Sequence, residues 1–360
     1  MKIAWLIGLL VGVLGVAESA WGQLTPERLY YGVDQRVPVR VDAPDGFVGE
    51  LTIRLHEFGT GEVVAEAAAS EGRADFASLL PVLWSDEAPR VTLLAQLYGN
   101  EAAIGAPMVV QPLLTPNTAM LVDPVSKQPS MDPRAEPAFE DERLPVLKRQ
   151  GLVESGEREV THSGLRLYVE REVVIETSAG EMVYRMRPDA APNTVFNFLH
   201  LVEGGFYTDV IVHRVVAALP DGRPFVIQFG DLSGTGSGGP GYATDLERSS
   251  LKHAFGVLSM ARSADPNTNG SQVFVCLSRE GTSFLDARYT SFAEAVSGAD
   301  VIRAIASVEV DAGDRPVEPP VVTRAYVRDA PAITARPVAL WEVEASIEAD
   351  LGRGDTNPGR

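Results

Sequence analysis

Between Glu50 and His56, Leu51, Ile53 and Leu55 alternate with Thr52 and Arg54. Val91, Leu93, Ala95 and Leu97 repeat the same period of two. Successive side chains of a strand point to opposite faces, so each run predicts a half-buried β-strand. Turn residues separate the runs, as at Asp45-Gly46 and Gly59-Thr60-Gly61. Several short strands over residues 23–115 predict a small antiparallel β-sandwich, with the immunoglobulin-like arrangement as one candidate. No polar cluster there suggests catalysis. The segment therefore reads as a scaffold or adhesion module, its partner unknown.

The pattern then changes. Prolines recur at 116, 124, 129, 133, 137 and 145 among many charges, which predicts a semi-extended linker over residues 116–160. Alternation returns at Leu165, Leu167 and Val169 and continues into Val173, Val174 and Ile175. This strand pair is expected to open a second, mainly β domain over residues 161–330. Within it, Pro192-Asn193-Thr194 looks like a helix start, and Val195, Phe198, Leu199 and Val202 fall on one helical face. Residues 331–360 hold a short apolar patch, Val338 to Val343, and then Gly, Asp, Asn and Pro, so a mobile tail is expected.

The chain has 360 residues, enough for about two domains. Its net charge is −18, which argues against nucleic acid and anionic lipid as partners, since both bind chiefly through Lys and Arg. Lys2 precedes an apolar run from Ile3 to Ala17, followed by Ala20 and Gly22 at alternate positions. That is the pattern of a secretory signal peptide, residues 1–22, with cleavage before Gln23. The run is short of the roughly 20 residues of a spanning helix, so no membrane insertion is expected after cleavage. The single cysteine, Cys276, can form neither an intrachain disulfide nor a cysteine zinc site.

Four strings in the second domain carry chemistry. They are Ala191-Pro192-Asn193-Thr194 running on to Gly205-Phe206-Tyr207; His213-Arg214-Val215 with Phe225-Val226-Ile227-Gln228-Phe229-Gly230-Asp231; Asn267-Thr268-Asn269-Gly270-Ser271-Gln272-Val273-Phe274; and Phe284-Leu285-Asp286. In this order and spacing they resemble the cyclophilin family of peptidyl-prolyl cis-trans isomerases over about residues 170–328. The resemblance implies a closed eight-stranded antiparallel β-barrel capped by two helices, acting on proline-containing polypeptides without a metal or cofactor. It implies a catalytic set of Arg214, Gln228 and Phe225. Val226, Ala261, Arg262 (through its backbone), Gln272, Phe274, Phe284, Leu285 and Tyr289 would bind substrate.

The residue types suit the chemistry on their own. Rotation about an X-Pro bond meets a barrier of roughly 18–20 kcal/mol from amide resonance. As the bond twists, the prolyl nitrogen loses conjugation and gains a lone pair. A permanently charged arginine can donate to it at any ordinary pH. Such a donor stabilises the twisted state above either planar one, which is the condition for catalysis. An aromatic-lined socket suits the proline ring, and a neutral amide suits the substrate carbonyl.

The sequence also departs from the family pattern. Residues 217–223 lengthen the connection between Arg214 and Phe225, with a turn signal at Pro220-Asp221-Gly222. Phe284 stands where many members carry a tryptophan whose indole N–H donates to the inhibitor cyclosporin. Tyr289 stands for a histidine, and Phe229 and Ala287 for glycines. Asp265 to Gly270 opens like a calcium loop, but Cys276 occupies the position of the needed glutamate. Glycines 234–241 lack the Gly-Lys-Ser/Thr of a phosphate loop, and Arg353-Gly354-Asp355 is a chance tripeptide. The leading expectation is an isomerase assisting the folding of exported proteins in the periplasm or extracytoplasmic envelope of a bacterium. The rival is a catalytically weak cyclophilin-fold module that binds proline-containing segments as a chaperone or scaffold.

Overall fold

The computed structural model describes residues 23–85, 90–116 and 160–346. The expected signal peptide, nearly all of the expected linker and residues 347–360 lie outside the described residues.

Among the described residues the first unit has nine strands: β1 (Gln23–Pro26), β2 (Tyr30–Gly32), β3 (Pro38–Asp42), β4 (Leu51–Glu57), β5 (Val63–Ala69), β6 (Gly72–Asp75), β7 (Leu93–Gly99), β8 (Ala102–Pro116) and β9 (Val160–Val169). They form a three-stranded sheet, β1-β3-β6, and a six-stranded sheet, β2-β9-β8-β7-β4-β5. Val39 and Val41 of the small sheet and Ile53, Leu55, Leu97 and Met108 of the large one share a single core. In β4 the buried residues include Leu51, Ile53 and Leu55, with Thr52 and Arg54 partly open, as alternation predicts. β7 differs: Leu94, Gln96 and Tyr98 are buried as well. Gln96 donates to the Ile104 carbonyl at 2.8 Å and accepts from the Ile333 amide at 2.9 Å, so its polar group is satisfied without water.

Two expectations about boundaries change here. Residues 161–169, read as the opening of the second domain, belong with Val160 to the first unit's sheet. β9 pairs antiparallel with β8 from Met108↔Val169 to Pro116↔Val160, so both ends of the expected inter-domain linker lie in one sheet. Residues 331–346, read as part of a mobile tail, are packed. Trp341 donates to Glu294 at 2.8 Å, Arg185 donates to the Pro337 carbonyl at 3.2 Å, and Ala339 is fully buried. This strap touches both units, since Ile333 meets Gln96 and Arg336 pairs with Glu170.

Among the described residues the second unit has one sheet of nine strands: β10 (Arg171–Thr177), β11 (Gly180–Met186), β12 (Val210–Ile211), β13 (Arg214–Ala218), β14 (Pro224–Phe229), β15 (Val257–Met260), β16 (Val273–Cys276), β17 (Ser291–Ser297) and β18 (Val321–Asp329). Their order is β12-β18-β10-β11-β17-β15-β16-β14-β13. Its two end strands, β12 and β13, are separated in the chain by Val212 and His213 alone. Val212 donates to the Pro320 carbonyl beside β18, and His213 donates to the Gln228 carbonyl in β14. The chain thus changes partners from one sheet end to the other within two residues, and the sheet must curl to allow it.

The helix Pro192–Glu203 buries Val195, Phe198, Leu199 and Val202, the face its sequence predicts. Pro192 sits in its first turn, where a missing N–H costs nothing. Glu247 caps the orphan amides of Asn193 and Thr194 at 3.0 and 2.6 Å. Phe198 meets Tyr207 and Phe292 at ring-centroid distances of 5.1 and 5.0 Å. A second helix, Ala299–Ala306, buries Val301, Ile302 and Ile305. Among the described residues no helix is long and apolar enough to cross a membrane.

Candidate active site

Arg214 is the first residue of β13, and the hairpin places it opposite Gln228 of β14. Gln228 in turn lies opposite Phe274 of β16. Three residues far apart in sequence therefore stand in one row across three strands. The extra residues 217–223 do not disturb this row. They extend the hairpin outward, with Ala218 opposite Pro224 and a tight turn closed by the Leu219 amide on the Arg223 carbonyl. Gly222 takes φ +87° there, a region costly for other residues. Arg223 fastens the tip by donating to the Glu280 carbonyl at 2.7 Å.

Arg214, Phe225, Val226, Gln228, Ala261, Arg262, Phe274, Leu285 and Tyr289 line one open cavity of about 120 Å³. Phe225, Val226, Phe274, Leu285 and Tyr289 form its apolar side, held by aromatic contacts, and Arg214, Gln228 and Arg262 form its polar side. Phe274 meets Tyr289 edge-on at 5.7 Å and stacks on His253 at 6.0 Å. Two of the residues expected to bind substrate stand outside this socket. Phe284 is exposed at the rim, its ring stacked on Phe225 at 5.8 Å. Gln272 lines an adjoining cavity of about 430 Å³, which shares Gln228, Ala261 and Arg262 with the socket.

The amides are fixed by a chain of hydrogen bonds. Gln272 donates to the carbonyls of Gly236 and Gly238 at 3.0 and 2.8 Å, which orients its own oxygen toward Gln228. The Gln228 amide donates to that oxygen at 2.8 Å. The glycine-rich loop is shaped by Asp231, which accepts from the amides of Ser233, Gly236 and Gly238 at 2.8, 2.7 and 3.0 Å. Burial opposes the Asp231 charge, but the Ser233 hydroxyl and these amides outweigh it and hold the carboxyl well below its usual range. Gly230 has φ +96°, and a Cβ there would lie 2.3 Å from the Ser271 carbonyl oxygen. Only glycine fits beside Phe229, which is buried in the core against Tyr207.

Arg214 has a partner that sequence reading missed. Its guanidinium lies 3.4 Å from Asp314, with both side chains 42% exposed. Asp314 sits 100 residues away in a turn that Asp311 caps through the amides of Gly313 and Arg315. No short motif announces such a contact, because folding alone brings the turn to β13. There the Val215 amide bonds to the Asp314 carbonyl. At this exposure the pair is weak, about 0–1 kcal/mol, so Arg214 can leave it for a substrate. His213 is buried beside Arg214, and burial pushes its pKa down, so it adds no charge there at neutral pH. Cys276 is buried with its thiol pushed up by burial, away from reactivity. Among the described residues, no group of three or more His, Cys, Asp or Glu could hold a metal ion.

The arrangement offers an apolar socket the size of a small ring, a half-exposed permanent cation at its edge and a preset amide beside it. That suits twisting a bond whose nitrogen needs a donor.

Comparison with known proteins points the same way. The family described as cyclophilin type peptidyl-prolyl cis-trans isomerase/CLD matches residues 172–327. A peptidyl-prolyl cis-trans isomerase of Arabidopsis thaliana is 39% identical over 163 residues, 44% of this chain and 94% of the relative. Another, of Schizosaccharomyces pombe, is 43% identical over 152 residues, 41% of this chain and 92% of the relative. A solved cyclophilin type isomerase of Cryptosporidium parvum shares 29% identity at a TM-score of 0.41, covering 45% of this chain and 99% of that one. The curated relatives are matched over nearly their whole length, and the matched segment here holds the Arg214 row and its socket. The chain belongs to the cyclophilin-type peptidyl-prolyl cis-trans isomerases and is an enzyme of that class.

Proposed function

We propose that this enzyme isomerises X-Pro bonds of exported proteins and so assists their folding in the extracytoplasmic envelope of a bacterium. Lys2 and the apolar run Ile3 to Ala17 support export. The curled sheet, with β12 and β13 consecutive in the chain, supports reading the second unit as the family's closed barrel. The two sheets of the first unit support a sandwich that docks clients or an envelope partner.

The site assignment rests on one observation: Arg214, opposite Gln228, shares a cavity with Phe225, Val226, Phe274 and Leu285. A proline ring enters that socket. The guanidinium leaves Asp314 and donates to the prolyl nitrogen as the bond twists. Gln228 orients the arginine and the substrate carbonyl. Arg214→Ala should lower kcat/KM by about 10²- to 10³-fold, as for loss of one transition-state donor. Arg214→Lys should also be poor, because a point charge does not reproduce the planar fork. A proline-isomerisation assay on the purified variants reads this. Retention of most activity by Arg214→Ala would place the site elsewhere.

A further inference from the structure

The charged residues that line the two cavities are all cationic among the described residues. Among the described residues, Arg262 is the only charged one lining the larger of these two cavities. The socket is lined by two charged residues, Arg214 and Arg262, both cationic. Arg214 has a carboxylate neighbour in Asp314. The hydrogen bonds of Arg262 among the described residues all go to neutral backbone carbonyls. Nε and one terminal nitrogen donate to Arg288 at 3.2 and 3.0 Å, and the other terminal nitrogen donates to Ser263 and Ala264 at 2.9 and 3.3 Å.

Those bonds occupy four of the five N–H groups a guanidinium offers. They fix its position but leave its charge uncancelled and one donor unused. The Arg262 guanidinium carbon also lies 4.3 Å from the centre of the Tyr289 ring, which holds it against a wall of the socket. Asp286, in the same loop as Arg288, is paired with Arg279 at 2.7 Å.

We propose that Arg262 selects substrates carrying an acidic side chain within two residues of the proline. This rests on the isomerase reading of the same site. The cavity that Arg262 lines opens directly from the socket, so a side chain one or two residues from a bound proline can reach it. A carboxylate there meets an arginine already held in place, at little cost in side-chain ordering. A lysine there brings two like charges together. The molecule's net charge of −18 works against acidic clients at long range. Screening over about 8 Å at physiological salt leaves the groove governed by its own arginines.

The test uses the full chain and short proline peptides with Glu, Gln or Lys at each of the two positions before and after the proline. At one position Glu should exceed Gln in kcat/KM by about threefold to tenfold, and Gln should exceed Lys. The Glu:Gln ratio should fall toward one at ~1 M salt and in Arg262→Gln. Taking the ratio within each protein removes any general loss from disturbing the carbonyl contacts of Arg262. A wild-type ratio near one at every position overturns the selection and leaves isomerisation intact. A preference that survives in Arg262→Gln overturns it too. Failure to turn over the Gln peptides would strike the isomerase reading instead, and NMR binding titrations with the same peptides would still read the Glu:Gln ratio.

Discussion

Ala287 follows Leu285-Asp286 where the family pattern has glycine, and its φ is +59°. The left-handed conformation costs a residue with a Cβ roughly 1–2 kcal/mol, while glycine loses about 0.5–1 kcal/mol more entropy on folding. Ala287→Gly should therefore stabilise the protein by about 0.5–1 kcal/mol, read as a higher denaturant midpoint. An unchanged or lower midpoint would mean that the turn carries no strain. Phe284, three residues earlier, stacks at the socket rim and brings no hydrogen-bond donor. Phe284→Trp should tighten cyclosporin binding by about two- to tenfold, the worth of one net hydrogen bond, in a direct titration. Equal affinity would show that residue 284 does not face the inhibitor. At this scale Arg214, Gln228 and Phe274 were legible because each lies inside a continuous motif. Asp314 was not, since its contact with Arg214 is not defined by its neighbours in sequence.

Among the elements, the hairpin β13–β14 separates what the site needs from what it tolerates. Arg214, Phe225 and Gln228 lie on its strands, and residues 219–223 lie at its tip. Replacing residues 219–223 by Asn-Gly, a two-residue turn matched to strand twist, should leave kcat/KM within about a factor of three. A loss of tenfold or more would mean that the Arg223 bond to Glu280 helps to set the socket. The helix at Pro192 and strand β4 followed from period alone, because one face of each meets core and the other meets solvent. β7 did not, because both its faces are covered. The patch Val338 to Val343 was visible in the sequence, but its role as part of a strap across two units depends on tertiary partners such as Glu294.

In the whole molecule, Glu170 stands between β9 and β10, where the two units meet, and is 1% exposed. It pairs with Arg336 of the strap. Burial pushes its carboxyl up to about 7, and the attraction of Arg336 and Arg185 offsets only part of that. The native carboxyl thus keeps its proton at higher pH than the unfolded one, whose value is near 4.5. Its contribution to stability is present below that value and lost as pH rises through about 7. Glu170→Gln cannot titrate. The melting temperature of Glu170→Gln minus that of the wild type should therefore grow more positive between about pH 5 and about pH 8. A difference that does not change with pH would show that Glu170 stays ionised in the native protein.

The pairing of β8 with β9 has a consequence for how the chain can be cut. Residues 117–159 leave one strand and return in its hydrogen-bonded neighbour, so the backbone there is a covalent detour within one sheet. A protease acting in that stretch would nick the protein without dividing it. Two separately translated halves, one ending near Pro116 and one beginning near Val160, should find each other through this ladder and through the strap. They should co-elute on size exclusion with isomerase activity intact, whereas halves that part under native conditions would show that the ladder alone does not hold them. The same point could carry new chain ends in a circular permutant, or a split pair whose reassembly reports that two other proteins have met.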